Sequence, residues 1–260
     1  MDRLYPQMCI IIGHVDRVTK TKLFVLPNKD KSRQMTFYSN VVATPDDNMM
    51  ILPVPGEGPI ELHRIDYKKM FDDLERSVRS NYQERPSNYL TRSLYASASL
   101  RETLEVFNHG SYLVSIAPQI EDLFRLDKSL FEFTPELFDF FAKHYNRQFS
   151  YICCVLKPGT KKYEPLCYSH PLHSSGKLFV PTLHYHNHGG RIETDTADWD
   201  HLIYSVNTAE KANLGFTSNY YNEVDWSHFP KEFQKENINS IRCSKIEGHR
   251  PNTDLAFELW

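Results

Sequence analysis

Residues 176–207 read GKLFVPTLHYHNHGGRIETDTADWDHLIYSVN, and their pattern points to the fold class. An apolar run from Lys177 to His184 leads to a Gly189-Gly190 turn and a second run from His201 to Val206. Two short apolar runs joined by a glycine-bearing turn read as strands, since neither holds a helical period for long enough. The same stretch carries His184, His186 and His188 at alternate positions and opens its second strand on Asp200-His201.

Outward from it, strands dominate. The first sixty-five residues offer apolar or β-branched runs at 8–15, 22–26, 34–43, 49–54 and 60–63, separated by turn residues such as Asn28-Lys29-Asp30 and Thr44-Pro45-Asp46. Further strands are predicted at 111–117, 149–156 and 164–170. Helices fall between the blocks. Tyr67, Met70, Phe71, Leu74 and Val78 form one apolar stripe behind Asp66. Thr134-Pro135-Glu136 supplies a cap, a proline at the first helical position and an acid in the first turn, ahead of Leu137, Phe138, Phe141 and Tyr145. Ile120, Leu123 and Phe124 suggest a short helix, and the Ser99–Glu102 spacing predicts another ending near Asn108-His109-Gly110.

The expectation is an α+β fold: an antiparallel β-core with three or four helices mostly in the middle third. Residues 1–260 read as a single domain, with 208–260 an aromatic, aperiodic C-terminal extension. Within it, residues 8–65 and 149–207 share an order of motifs. Each has an apolar strand with cysteine (MCIII, YICCVL), then Tyr38-Ser39 or Tyr168-Ser169, then a strand ending at Pro53 or Pro181. Duplication of a β-unit and chance likeness of strand-turn-strand patterns both account for this.

Composition narrows the function classes. Hydrophobic residues make up 40% and aromatics 13%, enough for a tightly packed core, and the net charge of -3 is spread through the chain. No concentrated basic face selects nucleic acid or an anionic membrane, and no apolar run approaches a membrane span. The five cysteines are odd in number and lack CxxC spacing, which reads as reduced thiols in an intracellular, cytoplasmic protein. Phosphate loops, dinucleotide fingerprints and Gly-x-Ser-x-Gly elbows are absent from the sequence.

The histidines carry the chemical expectation. Alternate strand positions lie about 6.6 Å apart on one face, so His184 and His186 are able to share an ion, whereas the outer pair, roughly 13 Å apart, is not. His188 falls to the turn. A third ligand would come from His170, His173, Asp200 or His201, giving a divalent site such as zinc with an open position for water. Asp200 and His201, as strand neighbours, face opposite ways: one faces the site and the other faces away or caps a loop. A histidine facing His184 across the hairpin has the range of a general acid/base. The structural alternative is a polar strand face whose histidines bond neighbouring groups. Cys9 in Met8-Cys9-Ile10-Ile11-Ile12-Gly13 looks like the start of an N-terminal-nucleophile amidohydrolase, which would require removal of the residues before it; a buried strand cysteine is the alternative.

Four pieces resemble a set of uncharacterised, mainly bacterial proteins without an established activity. They are Met50-Ile51-Leu52-Pro53, residues 123–127 (LFRLD), residues 178–182 (LFVPT) with His184 and His186, and Asp200-His201 with Leu202 and Tyr204. The resemblance implies no reaction and draws attention to His184, His186, Asp200 and His201. On the residues alone, a non-catalytic structural or protein-interaction role, with an aromatic segment such as 219–229 for a protein partner or self-association, is favoured. A metal-binding protein or metal-dependent hydrolase built on His184, His186 and His170, with His201 and Asp200 as catalytic groups, is the alternative.

Overall fold

Strands β4 and β9 are buried at almost every position, which a two-stranded hairpin in water cannot achieve. Each needs cover on both faces, and the architecture supplies it. The computed structural model describes residues 10–56, 58–79, 92–94, 103–145, 148–173, 175–186, 195–206, 216–218, 223–234, 236 and 238–259. In chain order the strands are β1 (Ile10–Ile12), β2 (Arg17–Pro27), β3 (Arg33–Thr44), β4 (Asn48–Pro55), β5 (Glu61–Arg64), β6 (Arg92–Leu94), β7 (Phe107–His109), β8 (Tyr112–Ala117) and β9 (Phe149–Leu156). There follow β10 (Gly159–Lys162), β11 (Leu166–Pro171), β12 (Lys177–Val180), β13 (Tyr185–His186), β14 (Thr196–Val206), β15 (Phe216–Ser218), β16 (Ile241–Pro251) and β17 (Leu255–Glu258). The α-helices are α1 (Met70–Arg79) and α2 (Pro135–His144).

Six strands form one sheet in the order β13-β1-β4-β9-β8-β7. Nine form the other, β15-β16-β14-β2-β3-β11-β5-β6, with β10 also on β3. β12 and β17 make a separate ribbon. Pairing is antiparallel except where β1 meets β13 and β14 meets β2. The protein is α+β with an antiparallel-rich core.

Three apolar clusters define the layers. Met50, Leu52, Ile152 and Cys154 of the first sheet meet Leu23, Val25, Tyr38 and Ile203 of the second. Alternate residues of the first sheet, Met49, Ile51, Tyr151 and Cys153, point outward against Leu137, Phe140 and Phe141 of α2 and the 3-10 helix Ile120–Arg125. The outer face of the second sheet, with Phe24, Phe37 and Tyr204, is covered by Met70, Phe71 and Leu74 of α1 and by Trp226, Phe229 and Phe233. The order is helix, sheet, sheet, helix: the period-2 alternation of each strand feeds two different cores.

Local signals explain the helix starts. Thr134 Oγ1 accepts from the Leu137 amide at 3.4 Å and Pro135 occupies the first helical position of α2. Where the helix predicted to end near Gly110 falls on described residues, 103–106 are irregular and Phe107–His109 is a strand. Phe107–His109 pairs with β8, and Gly110, at φ 57°, makes the hairpin turn between them. Residues 95–102 lie outside the described residues.

The late chain proves to be woven into the sheets. β16 pairs with β14 over its full length, from Thr196↔Pro251 to Val206↔Ile241, and β17 pairs with β12. Of the two segments with a common motif order, β3 and β11 lie side by side, Cys167 opposite Phe37, whereas β4 is central in the first sheet and β12 belongs to the ribbon. Buried Gln34 ties that ribbon to β3: its Oε1 accepts from the Phe179 amide at 2.8 Å and its Nε2 donates to the Phe179 carbonyl at 2.6 Å. The side-chain amide thus stands in for a strand partner.

Candidate functional site

Residues 182–184 run between β12 and β13 without strand partners of their own, so their backbone groups need others. The turn between β16 and β17 provides them. Asn252 Oδ1 accepts from the His184 amide at 2.7 Å, and its Nδ2 donates to the His184 carbonyl at 2.8 Å. Asp254 Oδ1 accepts from the amides of Thr182 and Leu183 at 2.7 and 2.8 Å, while its Oδ2 accepts from the Tyr145 hydroxyl at 2.8 Å. The Thr182 hydroxyl donates to the Thr253 carbonyl at 3.0 Å. This clamp fixes where His184 enters the interior.

Inside, His184 meets β14. Its ring lies parallel to that of His201, within 14° and with centroids 5.3 Å apart, and the Trp199 indole packs on both, 5.3 Å from His184 and 4.8 Å from His201. Alternation along β14 puts Trp199, His201 and Ile203 on the face toward the first sheet. Thr21, level with His201 on β2, shares the parity of Leu23 and Val25 and faces the same way. Thr21, His184, Trp199 and His201 are all buried.

The polar atoms of this group are its main peculiarity. Thr21 Oγ1, Trp199 Nε1 and His201 Nδ1 are buried and have no hydrogen-bond partner among the described residues. Each such group costs about 1–3 kcal/mol when left unsatisfied, and here three come from adjacent positions of two paired strands. Burial alone drives the His201 pKa down to about 3, so the ring is neutral at physiological pH.

Asp200 turns the other way. Its Oδ2 accepts from the backbone amide of Lys20 at 3.1 Å. Lys20 sits at φ 56°, within the register shift between Thr19 and Lys22 where β2 bulges against β3. The carboxylate caps that bulge.

The remaining expected residues are dispersed. His170, on β11, donates from Nδ1 to the Pro171 carbonyl at 2.7 Å and stacks on Tyr168 at 5.9 Å; burial lowers its pKa to about 4. The backbone of His186 lies opposite Ile11, in β13. The His186 side chain, His188 and Cys9 lie outside the described residues, as do residues 219–222 of the aromatic segment. Among the described residues no group of three His, Cys, Asp or Glu side chains is placed to hold a metal ion, and no helix is long and apolar enough to cross a membrane.

A second polar cluster escapes sequence reasoning altogether. On the outer face of the second sheet, Ser169 Oγ lies 2.8 Å from His63 Nε2 and accepts from Arg33 Nη2 at 3.0 Å. Arg33 also pairs with Glu61 at 3.0 Å. These residues come from β3, β5 and β11, and no spacing rule links them; only the pairing of Ser169 with Glu61 and of Cys167 with His63 brings them together.

No protein-family model, curated protein or solved structure matches the chain.

Proposed function

We propose that the chain binds a small oxygen-bearing molecule between its two sheets, held by Thr21, Trp199 and His201. One observation carries this reading: three buried polar atoms at neighbouring positions lack partners among the described residues. A purely structural histidine face would satisfy those atoms with neighbouring groups. The indole N–H only donates, the threonine hydroxyl donates or accepts, and neutral His201 does either at Nδ1. A carboxylate or amide oxygen suits such a set, against the ring faces of His184 and Trp199. His201, neutral because it is buried, is the group that would meet the guest as either donor or acceptor. Its free, buried thiols Cys153, Cys154 and Cys167 support a reducing, intracellular setting.

The test uses Trp199 as a built-in reporter. Titration of the protein with acetate, acetamide and their larger homologues should give a saturable change in indole emission that His201→Phe abolishes. A high-resolution crystal structure showing the space dry, or filled by ordered water alone, would remove the reading.

A second reading makes Cys9, in Met8-Cys9-Ile10-Ile11-Ile12-Gly13, the nucleophile of an N-terminal-nucleophile amidohydrolase. Cys9 at a processed N-terminus would use its own amine as base. An intact mass that retains Met1 or Asp2 rules this out.

A further inference from the structure

We propose that Ser169, His63 and Arg33 form a nucleophilic centre that accepts an acyl group from small carboxylic esters, separate from the interior between the sheets. The geometry assigns each group its part. A guanidinium only donates, so the bond from Arg33 Nη2 occupies a lone pair of Ser169 Oγ and leaves the serine proton to point at His63 Nε2, 2.8 Å away. That is the polarity an activated serine requires, hydroxyl donating to a neutral imidazole. Glu61 holds the guanidinium at 3.0 Å, and Arg33 Nε is buried without a hydrogen-bond partner among the described residues. An unused cationic donor beside the nucleophile is suited to an oxyanion.

The step balances without a cofactor. Ser169 Oγ bonds to the ester carbonyl carbon while its proton passes to His63 Nε2. The tetrahedral oxyanion collapses, the C–O bond to the leaving group breaks, and His63 returns the proton to the departing alkoxide. Water, deprotonated by His63, then attacks the acyl carbon; the bond to Ser169 Oγ breaks, the serine takes the proton back from His63, and the carboxylic acid leaves. Ser169 itself is fully buried and the Arg33 and Glu61 side chains beside it are 18% and 19% exposed, so the proposal is confined to small acyl groups.

Among the described residues, the charged and titratable groups around His63 are Arg33 on β3, Glu61 on its own strand, His109 on β7 and the buried thiol of Cys167 opposite it. Burial, then Arg33 and His109, hold the imidazole pKa down to about 4. The base is therefore available throughout the neutral range.

Two measurements test this. Wild-type protein treated with a small fluorophosphonate, digested and mapped by mass spectrometry should carry the label on Ser169. Hydrolysis of p-nitrophenyl acetate should be level between pH 5 and 8 and fall at least about 100-fold in Ser169→Ala and His63→Gln. Failure of Ser169 to label in the folded wild-type protein overturns the proposal, whether or not the variants fold. So does ester hydrolysis that survives in folded Ser169→Ala, or that rises through pH 6.5 as for an exposed histidine.

Discussion

Asn252 grips the backbone of His184 through both ends of its amide, donating to the carbonyl and accepting from the N–H. A residue from the last ten of the chain thereby does the work of a neighbouring strand at the point where the interior histidine enters. The arrangement matches that of Gln34 on Phe179, so one side-chain amide holds β12 and the other the path from β12 to β13.

Replacing Asn252 by Asp removes the donor to the His184 carbonyl and sets a carboxylate against it. The expected loss is about 2–3 kcal/mol, read as a lower urea midpoint at unchanged slope. Trp199 emission should shift in the same variant, because the His184 ring that packs on it loses its anchor. A variant with wild-type stability would show that the clamp is redundant with Asp254.

Asp200 is a cap, and its substitutions should behave as such. Asp200→Asn keeps an acceptor for the Lys20 amide and should change stability by no more than about 0.5 kcal/mol, while Asp200→Ala should cost about 1 kcal/mol. Lys20→Gly relieves a positive φ at the same bulge and should stabilise by about 1 kcal/mol. Thermal melts of the three variants check this; a large effect of Asp200→Asn would mean that its charge, not its hydrogen bond, matters.

Acid should destabilise the protein early. Burial lowers His63 and His170 to about 4 and His201 to about 3, so from pH 6.5 downward the unfolded chain takes up protons that the folded one refuses. Stability is therefore fully present above 6.5 and declines as pH falls. Asp254 opposes this, since burial raises its carboxyl to about 6 and the folded state gains a proton first. Two histidine equivalents remain, about 3 kcal/mol per pH unit between 6 and 5. Urea midpoints at pH 7, 6 and 5 measure it; a flat profile over that range would contradict the buried, neutral state of these rings.

Gly13 should not tolerate a side chain. It lies at φ 113°, and a Cβ built there would run into the Asn48 side chain, which itself bonds the His14 carbonyl at 2.8 Å. Gly13→Ala should cost about 3 kcal/mol from backbone strain and overlap together. Combining it with Asn48→Ala should recover the overlap part, a non-additivity that a double-mutant cycle detects.

Much of the architecture was legible in the residues themselves. Thr134-Pro135-Glu136 marks the start of α2, the stripe from Met70 to Leu74 marks the buried side of α1, and strand alternation sets Asp200 and His201 on opposite faces, the structure choosing His201 as the inward one. These are short-range matters of capping, period and parity, decided within a few residues. The helix expected before Gly110 failed because capping-box spacing is weaker than the pairing β8 offers Phe107–His109. Residues 241–258 resisted reading for the same reason: β16 carries several charged and polar residues and holds its place through β14 rather than through its own apolar pattern. What the sequence determined alone is most of the strands before residue 207 and that Asp200 and His201 face opposite ways. What only the tertiary structure decided is which residues meet, Thr21 with His201, Asn252 with His184 and Ser169 with His63, because sheet order and register, not distance along the chain, choose the neighbours of a buried polar group.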